Sequence, residues 1–171
     1  NCDDAFDEIN RIEPGHNRGW IQVMGPLARI SEFKSTEATP GMMFGLQQVR
    51  WSPNDIADSP IDARTRMVNF PGSHYGEPQF AWQFATPPAA IGFMADGSLG
   101  RKYHGDLFVG AAVPTLSGGH IFRFSLTKNR PVLGWSDPDL ADLVADNGEK
   151  SSGVESESLL FAVYHFAVVK V

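Results

Sequence analysis

The chain has 171 residues, of which 42% are hydrophobic and 20% are charged, a globular composition that excludes an intrinsically disordered chain. Its net charge of −6 excludes a nucleic-acid-binding surface, because phosphate neutralisation needs clustered Lys and Arg. The single cysteine, Cys2, excludes an internal disulfide and a cysteine-based metal cluster, and no apolar run reaches the ~18 residues of a membrane-spanning helix.

The N-terminal part predicts short strands followed by a long irregular segment. Residues 7–12 alternate in polarity and precede Pro14-Gly15, a turn signal. Residues 16–26 contain a second short apolar segment that Gly-Pro closes. Beyond it, Leu27, Ile30 and Phe33 form a helix-like stripe. Residues 43–49 are a second candidate helical turn, and several prolines interrupt the sequence up to residue 79. We therefore predict a partly helical insertion over residues 27–79.

Regular β-structure is predicted from residue 87 onwards. Strands are expected at residues 90–94, 106–113 and 120–126, with a turn at Asp96-Gly97 and a loop at residues 115–119. In the third strand, alternation places Phe122 and Phe124 on one face and Arg123 on the other. Residues 137–158 are polar and predict a loop with a short helix, and the apolar residues 159–171 predict a buried strand. Sequential strands of this kind with short loops are typical of a β-propeller blade, so the predicted fold class is all-β.

Two groups of motifs resemble one protein family. The first is D-E-I-N at residues 7–10, followed by P-G-H-N-R-G-W at residues 14–20. The second comprises Trp82, Pro87, D-L-F-V-G at residues 106–110 and G-H-I-F-R-F at residues 119–124. In order and spacing these motifs resemble the glucose/sorbosone dehydrogenases, soluble sugar dehydrogenases that use pyrroloquinoline quinone.

The resemblance implies part of a six-bladed propeller. A blade occupies ~40–50 residues, so this chain supplies roughly two to three blades, in a single partial propeller domain over residues 1–171 that contains the 27–79 insertion. The matches correspond to the later part of the family's chain. The catalytic histidine of the family lies upstream of them, and no catalytic residue is assigned here. Because an open propeller leaves sheet faces uncovered, we expect the chain to self-associate or to require the missing propeller portion.

The resemblance also implies a cofactor site and a metal site. Trp82 matches a tryptophan of the quinone pocket, Gln79 stands where the family has a tyrosine, and Ser117 stands where it has a quinone-contacting lysine. A tricarboxylate quinone needs cationic partners, so the loss of that lysine disfavours quinone binding. The family holds calcium beside D-E-I-N, which makes Asp7 and Glu8 the candidate oxygen ligands.

Three functional hypotheses follow. In the first, the chain is part of a quinone-dependent dehydrogenase that oxidises a sugar hydroxyl by hydride transfer to the quinone. In the second, a propeller without cofactor serves as a carbohydrate- or protein-binding scaffold. In the third, the chain is an inactive truncated fragment. Arg18, which replaces the tyrosine of the family's N-Y-G-W motif, favours the scaffold together with Gln79 and Ser117. The resemblance implies an extracytoplasmic location, periplasmic or secreted.

Other side chains carry weaker signals. The five histidines lack the H-x-x-x-H or H-x-H spacing of a transition-metal site, so we expect structural or surface roles for them. The four tryptophans either stack on sugar rings or pack between sheets. Packing is favoured for Trp20 and Trp135, whereas for Trp82 the two alternatives are nearly balanced.

Overall fold

The computed structural model describes residues 6–19, 22–30, 32, 57, 59–83, 88–112, 118–126, 137–146 and 159–165. The chain divides into two compact units, unit 1 over Asn1–Ala85 and unit 2 over Thr86–Val171. Among the residues that the structure describes, no helix is long and apolar enough to cross a membrane.

Unit 1 contains four short strands in two pairs. Strand β1 (Asp7–Ile9) runs antiparallel to β4 (Phe80–Trp82). Strand β2 (His16–Asn17) runs parallel to β3 (His74–Tyr75). A turn in which the amide of His16 donates to the carbonyl of Glu13 connects the first two strands. Gly15 has a φ of 77° in this turn, a conformation that glycine adopts without strain.

The remaining elements of unit 1 pack around a small apolar core. They are a 3₁₀ turn (Leu27–Arg29) and the helix α1 (Pro60–Arg66), whose N-cap Ser59 accepts a hydrogen bond from the amide of Asp62. Pro60 at the first helical position needs no backbone donor there. The core consists of five buried side chains with Tyr75 packed against them: Val23, Leu27, Ile30, Ala57 and Ala63.

Unit 2 is built on one antiparallel sheet of four strands in the order β5–β6–β7–β9. These are β5 (Pro88–Phe93), β6 (Leu107–Ala112), β7 (Gly118–Phe124) and β9 (Leu160–His165). A 3₁₀ turn (Arg101–Tyr103) lies between β5 and β6. Between β7 and β9 the chain forms a 3₁₀ turn (Pro138–Leu140) and the short strand β8 (Val144–Ala145).

The sheet of unit 2 has one strongly apolar face. Leu107 pairs with Phe124 and Val109 pairs with Phe122, and all four side chains are buried. Directly paired residues share a face, so this face continues onto β5 through Phe93 and Ile91, the partners of Leu107 and Val109. The alternation predicted for residues 120–126 is thus confirmed at Phe122 and Phe124.

The all-β class is confirmed at the level of secondary structure, since the described residues form nine strands and only little α-helix. The arrangement of blades in a propeller ring stays a prediction. Leu27 and Ile30 of the helix-like stripe are buried, whereas Phe33 and the predicted helical turn at 43–49 lie outside the described residues.

The predicted and observed ends of β5, β6 and β7 differ by one or two residues, and two of the boundary differences in the chain have a clear reason. Strand β1 ends at Ile9 instead of residue 12, because only residues 7–9 have partners in β4. The loop predicted at residues 115–119 is too long at its C-terminal end. Gly118 and Gly119 belong to β7, where they pair with His165 and Tyr164 of β9, and both are buried. Glycine signals a loop from sequence alone, but here both glycines lie within a paired strand.

Candidate functional site

Strand β1 presents the two predicted metal ligands in opposite directions. Successive side chains of a strand point to opposite faces, so Asp7 and Glu8 do not converge on one point. Asp7 lies opposite Trp82 in the pairing with β4, and it is 8% exposed. Glu8 lies opposite Ala81, on the other face of the strand.

Donors of the protein occupy both carboxylate oxygens of Glu8. Oε1 accepts a short hydrogen bond from the amide of Gly25, and Oε2 accepts one of 2.7 Å from Nδ2 of Asn10. Burial raises the pKa of Glu8, and this effect outweighs the hydrogen bonds from Asn10 and Gly25 and the charge of Arg18. Glu8 is therefore a half-buried carboxyl group that its surroundings bias towards the protonated form.

This geometry bears on the predicted calcium site. Calcium takes six to eight oxygen ligands, and the two predicted ligands face opposite ways, with one of them already bonded at both oxygens. Within the described ranges no group of three or more His, Cys, Asp or Glu side chains comes together as a metal site. Calcium binding through Asp7 and Glu8 stays a prediction that would require Glu8 to exchange its present partners.

Glu77 and Tyr75 lie near Glu8 and form a second set of polar contacts. Oε2 of Glu77 accepts hydrogen bonds from the hydroxyl of Tyr75 at 3.0 Å and from the amide of Leu27 at 3.1 Å. Burial and the negative charge of Glu77 raise the pKa of Tyr75 well above its ordinary value, so its hydroxyl stays a donor. The two glutamates thus fix the backbone at Gly25 and Leu27.

Arg18 supplies the positive charge of this cluster. Its Nη1 donates to the carbonyl of Glu77 at 2.8 Å. Its Nε and Nη2 are buried, and neither has a hydrogen-bond acceptor among the described residues. Nδ1 of His16 and Oδ1 of Asn10 are likewise buried without a partner in the described chain. Such orphaned polar atoms are rare in folded proteins.

Gly76 determines how closely Arg18 and His16 approach. A Cβ atom at residue 76 would lie 2.7 Å from Nη1 of Arg18 and 2.9 Å from Nδ1 of His16. Both distances are too short for a real side chain, so the absence of a Cβ lets both nitrogens lie close to this stretch of backbone. We call Glu8, Asn10, His16, Arg18, Tyr75 and Glu77 the polar cluster.

The predicted quinone-pocket residues occupy separate places. Trp82 is 1% exposed, and its ring meets that of Phe80 edge-on at 4.9 Å. Gln79 is half-buried, and its amide donates to the carbonyl of Ile9 at 2.8 Å, which extends the β1–β4 pairing. Ser117 lies outside the described residues, as do Trp20 and Trp135. The packing role considered for Trp82 agrees with its burial.

On the other face of its sheet, unit 2 has a cluster of three aromatic rings and one arginine. The rings of Phe108 and Phe161 lie 5.0 Å apart, and Tyr103 contacts both edge-on. The guanidinium of Arg123 lies 4.7 Å over the Tyr103 ring, while Nε of Arg123 pairs with Oδ2 of Asp106 at 2.7 Å. Aromatic and cationic groups in this arrangement stabilise the sheet.

Sequence reasoning identified Glu8 and Arg18 but missed most of the polar cluster. Tyr75 and Glu77 lie in the segment predicted as an insertion, and no motif marks them. The parallel pairing of β2 with β3 brings them to Arg18 and also places the rings of His16 and His74 4.5 Å apart. A weak signal is available, because each of the two short strands begins with histidine.

Comparison with known proteins gives no relative. No protein-family model matches the chain, and neither the curated proteins nor the solved structures include a significant match.

Proposed function

We propose that this chain is a protein-binding scaffold of the propeller type, with the β5 edge of the unit 2 sheet as its binding element. The observation that carries this proposal is the exposure of β5. All six of its residues are exposed, with Ile91 at 64% and Phe93 at 57%. Their neighbours in β6 are almost completely buried, Val109 at 2% and Leu107 at 4%.

The apolar face of the sheet therefore continues to an uncovered edge. Within the described chain β5 pairs only with β6, so its other side presents unpaired backbone donors and acceptors. Its sequence, P-A-A-I-G-F, carries no charge that would oppose pairing with another strand. An added strand would complete these hydrogen bonds and cover both large side chains, the mode of recognition known as β-augmentation.

A second copy of the chain is the partner that fits this edge. Two β5 strands can pair antiparallel about a two-fold axis perpendicular to the sheet, which keeps Ile91 and Phe93 of both copies on the same face. Burying these side chains would contribute about 1–2 kcal/mol each. The short, neutral strand needs no complementary charge on its partner.

Sedimentation velocity over a range of protein concentrations tests this proposal. We expect concentration-dependent association of the wild-type chain that Ile91→Lys and Phe93→Lys each weaken at least tenfold. The control is Ile61→Lys in α1, because Ile61 is 79% exposed but lies on a helix of unit 1. A wild-type chain that remains monomeric throughout, or equal weakening by all three substitutions, would contradict the proposal.

Quinone-dependent sugar oxidation is the second candidate function. It is supported by the convergence of two motif segments, since Glu8 and Asn10 of D-E-I-N share the polar cluster with Arg18 of N-R-G-W. On this proposal, Trp82, Gln79 and Ser117 supply pocket wall, and the catalytic base comes from elsewhere. The burial of Trp82 disfavours it, because the indole would have to become exposed to contact a cofactor.

Calorimetric titration with pyrroloquinoline quinone, with and without calcium, tests the second candidate. Saturable binding that depends on calcium would support it, and sugar oxidation assays would then follow. If neither condition gives heat or a thermal shift, this chain alone does not hold the quinone, and the scaffold is the better account.

A further inference from the structure

Arg18 presents an unused binding edge inside unit 1. Nε and Nη2 of a guanidinium point the same way and together match the two oxygens of a planar carboxylate. In Arg18 both atoms are buried without an acceptor among the described residues, whereas Nη1 is bonded to the carbonyl of Glu77. The side chain is thus anchored at one nitrogen and unpaired, within the described chain, at the other two.

Another arginine of the same chain shows what this edge binds. Nε and Nη2 of Arg29 donate to the two carboxylate oxygens of Glu32 at 2.9 and 2.8 Å. The acidic side chains near Arg18 do not play this part. Both oxygens of Glu8 are bonded to Asn10 and Gly25, and Oε2 of Glu77 is bonded to Tyr75 and Leu27.

His16 adds a third nitrogen beside Arg18. Its Nε2 lies 3.1 Å from Oε2 of Glu13, which holds the ring, and its buried Nδ1 has no partner in the described chain. The missing Cβ of Gly76 brings this Nδ1 and the Arg18 guanidinium over the same stretch of backbone. The contact of Nε2 with Glu13 fixes the orientation of the ring, so Nδ1 stays on the side of Arg18.

Leaving a buried guanidinium edge unpaired is costly, because a charged group taken out of water needs compensating hydrogen bonds. We infer that Arg18, with the His16 ring beside it, binds the carboxylate group of a small organic acid. A planar monoanion fits the two-nitrogen edge. Its single charge also suits a site flanked by Glu8 and Glu77 better than the larger, more highly charged phosphate. This site lies in unit 1 and is independent of the β5 edge.

Titration of the full chain with sodium acetate, followed by calorimetry and thermal unfolding, tests the inference. Sodium chloride at equal ionic strength controls for salt, and sodium phosphate tests the tetrahedral alternative. We expect saturable acetate binding that Arg18→Gln weakens at least tenfold and that the exposed control Arg64→Gln leaves unchanged. Identical curves in acetate and chloride, which would mean that water alone fills the site, would overturn the inference, as would binding of phosphate without acetate.

Arg18→Met provides a readout that does not require the Gln variant to fold. The methionine removes the unpaired nitrogens while keeping an extended side chain. Relative to wild type, we therefore expect a higher melting temperature without acetate and a reversal of this order at saturating acetate. A methionine variant that melts below wild type by the same margin in both solutions would argue against a ligand at Arg18.

Discussion

Asp106 and Arg123 form an ion pair in unit 2, with Oδ2 of the acid 2.7 Å from Nε of the arginine. The Asp106 side chain is 9% exposed and that of Arg123 is 32% exposed. Nη2 of Arg123 also donates to the hydroxyl of Ser125 at 3.2 Å. The pair joins the residue that precedes β6 to the penultimate residue of β7, and the guanidinium offsets the cost of burying the acid.

Arg123→Met is expected to lower the free energy of unfolding by about 2 kcal/mol, because it leaves the buried Asp106 without its charged donor. Denaturant unfolding at neutral pH measures this loss. Arg101→Met is the matched control, since Arg101 is exposed on the 3₁₀ turn between β5 and β6. Equal losses in the two variants would show that the Asp106 pair contributes nothing specific.

Glu8 is expected to make unit 1 less stable as the pH rises. Because burial raises its pKa above the ordinary value of 4.5, the folded state binds the proton more tightly than the unfolded state does. The contribution of Glu8 to stability is therefore largest below pH 4.5 and decreases as the pH rises from there through the raised pKa. Glu8→Gln, which is neutral at every pH, should lack this decrease when unfolding is measured across the acidic range.

Asp96 provides a control of opposite sign for that experiment. Hydrogen bonds from the hydroxyl and the amide of Ser98 lower the pKa of Asp96 below its ordinary value of 3.8. Its contribution is present above pH 3.8 and is lost as the pH falls through the lowered pKa. The pH dependences of Glu8→Gln and Asp96→Asn relative to wild type should therefore run in opposite directions. Parallel curves would refute the assignment for Glu8.

Alanine substitutions at Gly25 and Gly72 distinguish the cost of backbone strain from the cost of a steric clash. Their φ angles are nearly equal, 78° and 81°, but a Cβ at Gly25 would lie 2.5 Å from Cγ of Phe6, whereas at Gly72 it would meet nothing within 4 Å. We expect Gly72→Ala to cost about 1 kcal/mol, the strain of the left-handed conformation. Gly25→Ala should cost clearly more in the same thermal unfolding measurement. Equal costs would mean that Phe6 moves aside freely.

Trp82→Ala is expected to lower the free energy of unfolding by about 3–5 kcal/mol, the range for a large buried aromatic side chain. Phe70→Ala serves as the control, because Phe70 is 77% exposed and its truncation should change stability by less than about 0.5 kcal/mol. Chemical denaturation followed by circular dichroism distinguishes the two variants. A Trp82 variant as stable as wild type would indicate that the indole is not a packing residue.

The parts of the fold that sequence predicts best are those where a local pattern and the tertiary structure agree. Phe122 and Phe124 alternate with Arg123, and the sheet buries the phenylalanines because one of its faces is apolar. Hydrophobic alternation is a strong local signal for a strand. The ends of β1 and β7 were less predictable, because they depend on the length of the partner strands.

The polar cluster was largely hidden in the sequence for a different reason. Arg18 and Glu77 meet through the register of β2 with β3, a pairing of only two residues on each side. So short a pair carries no periodic signal, and its parallel direction requires a long connection instead of a recognisable hairpin turn. The opposite directions of Asp7 and Glu8 followed from strand alternation alone, once β1 was placed.

The short parallel pair of unit 1 also has a consequence for synthesis of the chain. Nδ2 of Asn17, at the end of β2, donates to the carbonyl of Val68, 51 positions later, and β3 follows after that. At ~5–20 residues per second, the ribosome takes about 3–10 s to make the intervening segment. The partner of β1, strand β4, is synthesised later still. The two N-terminal strands therefore have no partner during this interval. A nascent chain that stops before Tyr75 should therefore be a target for chaperones.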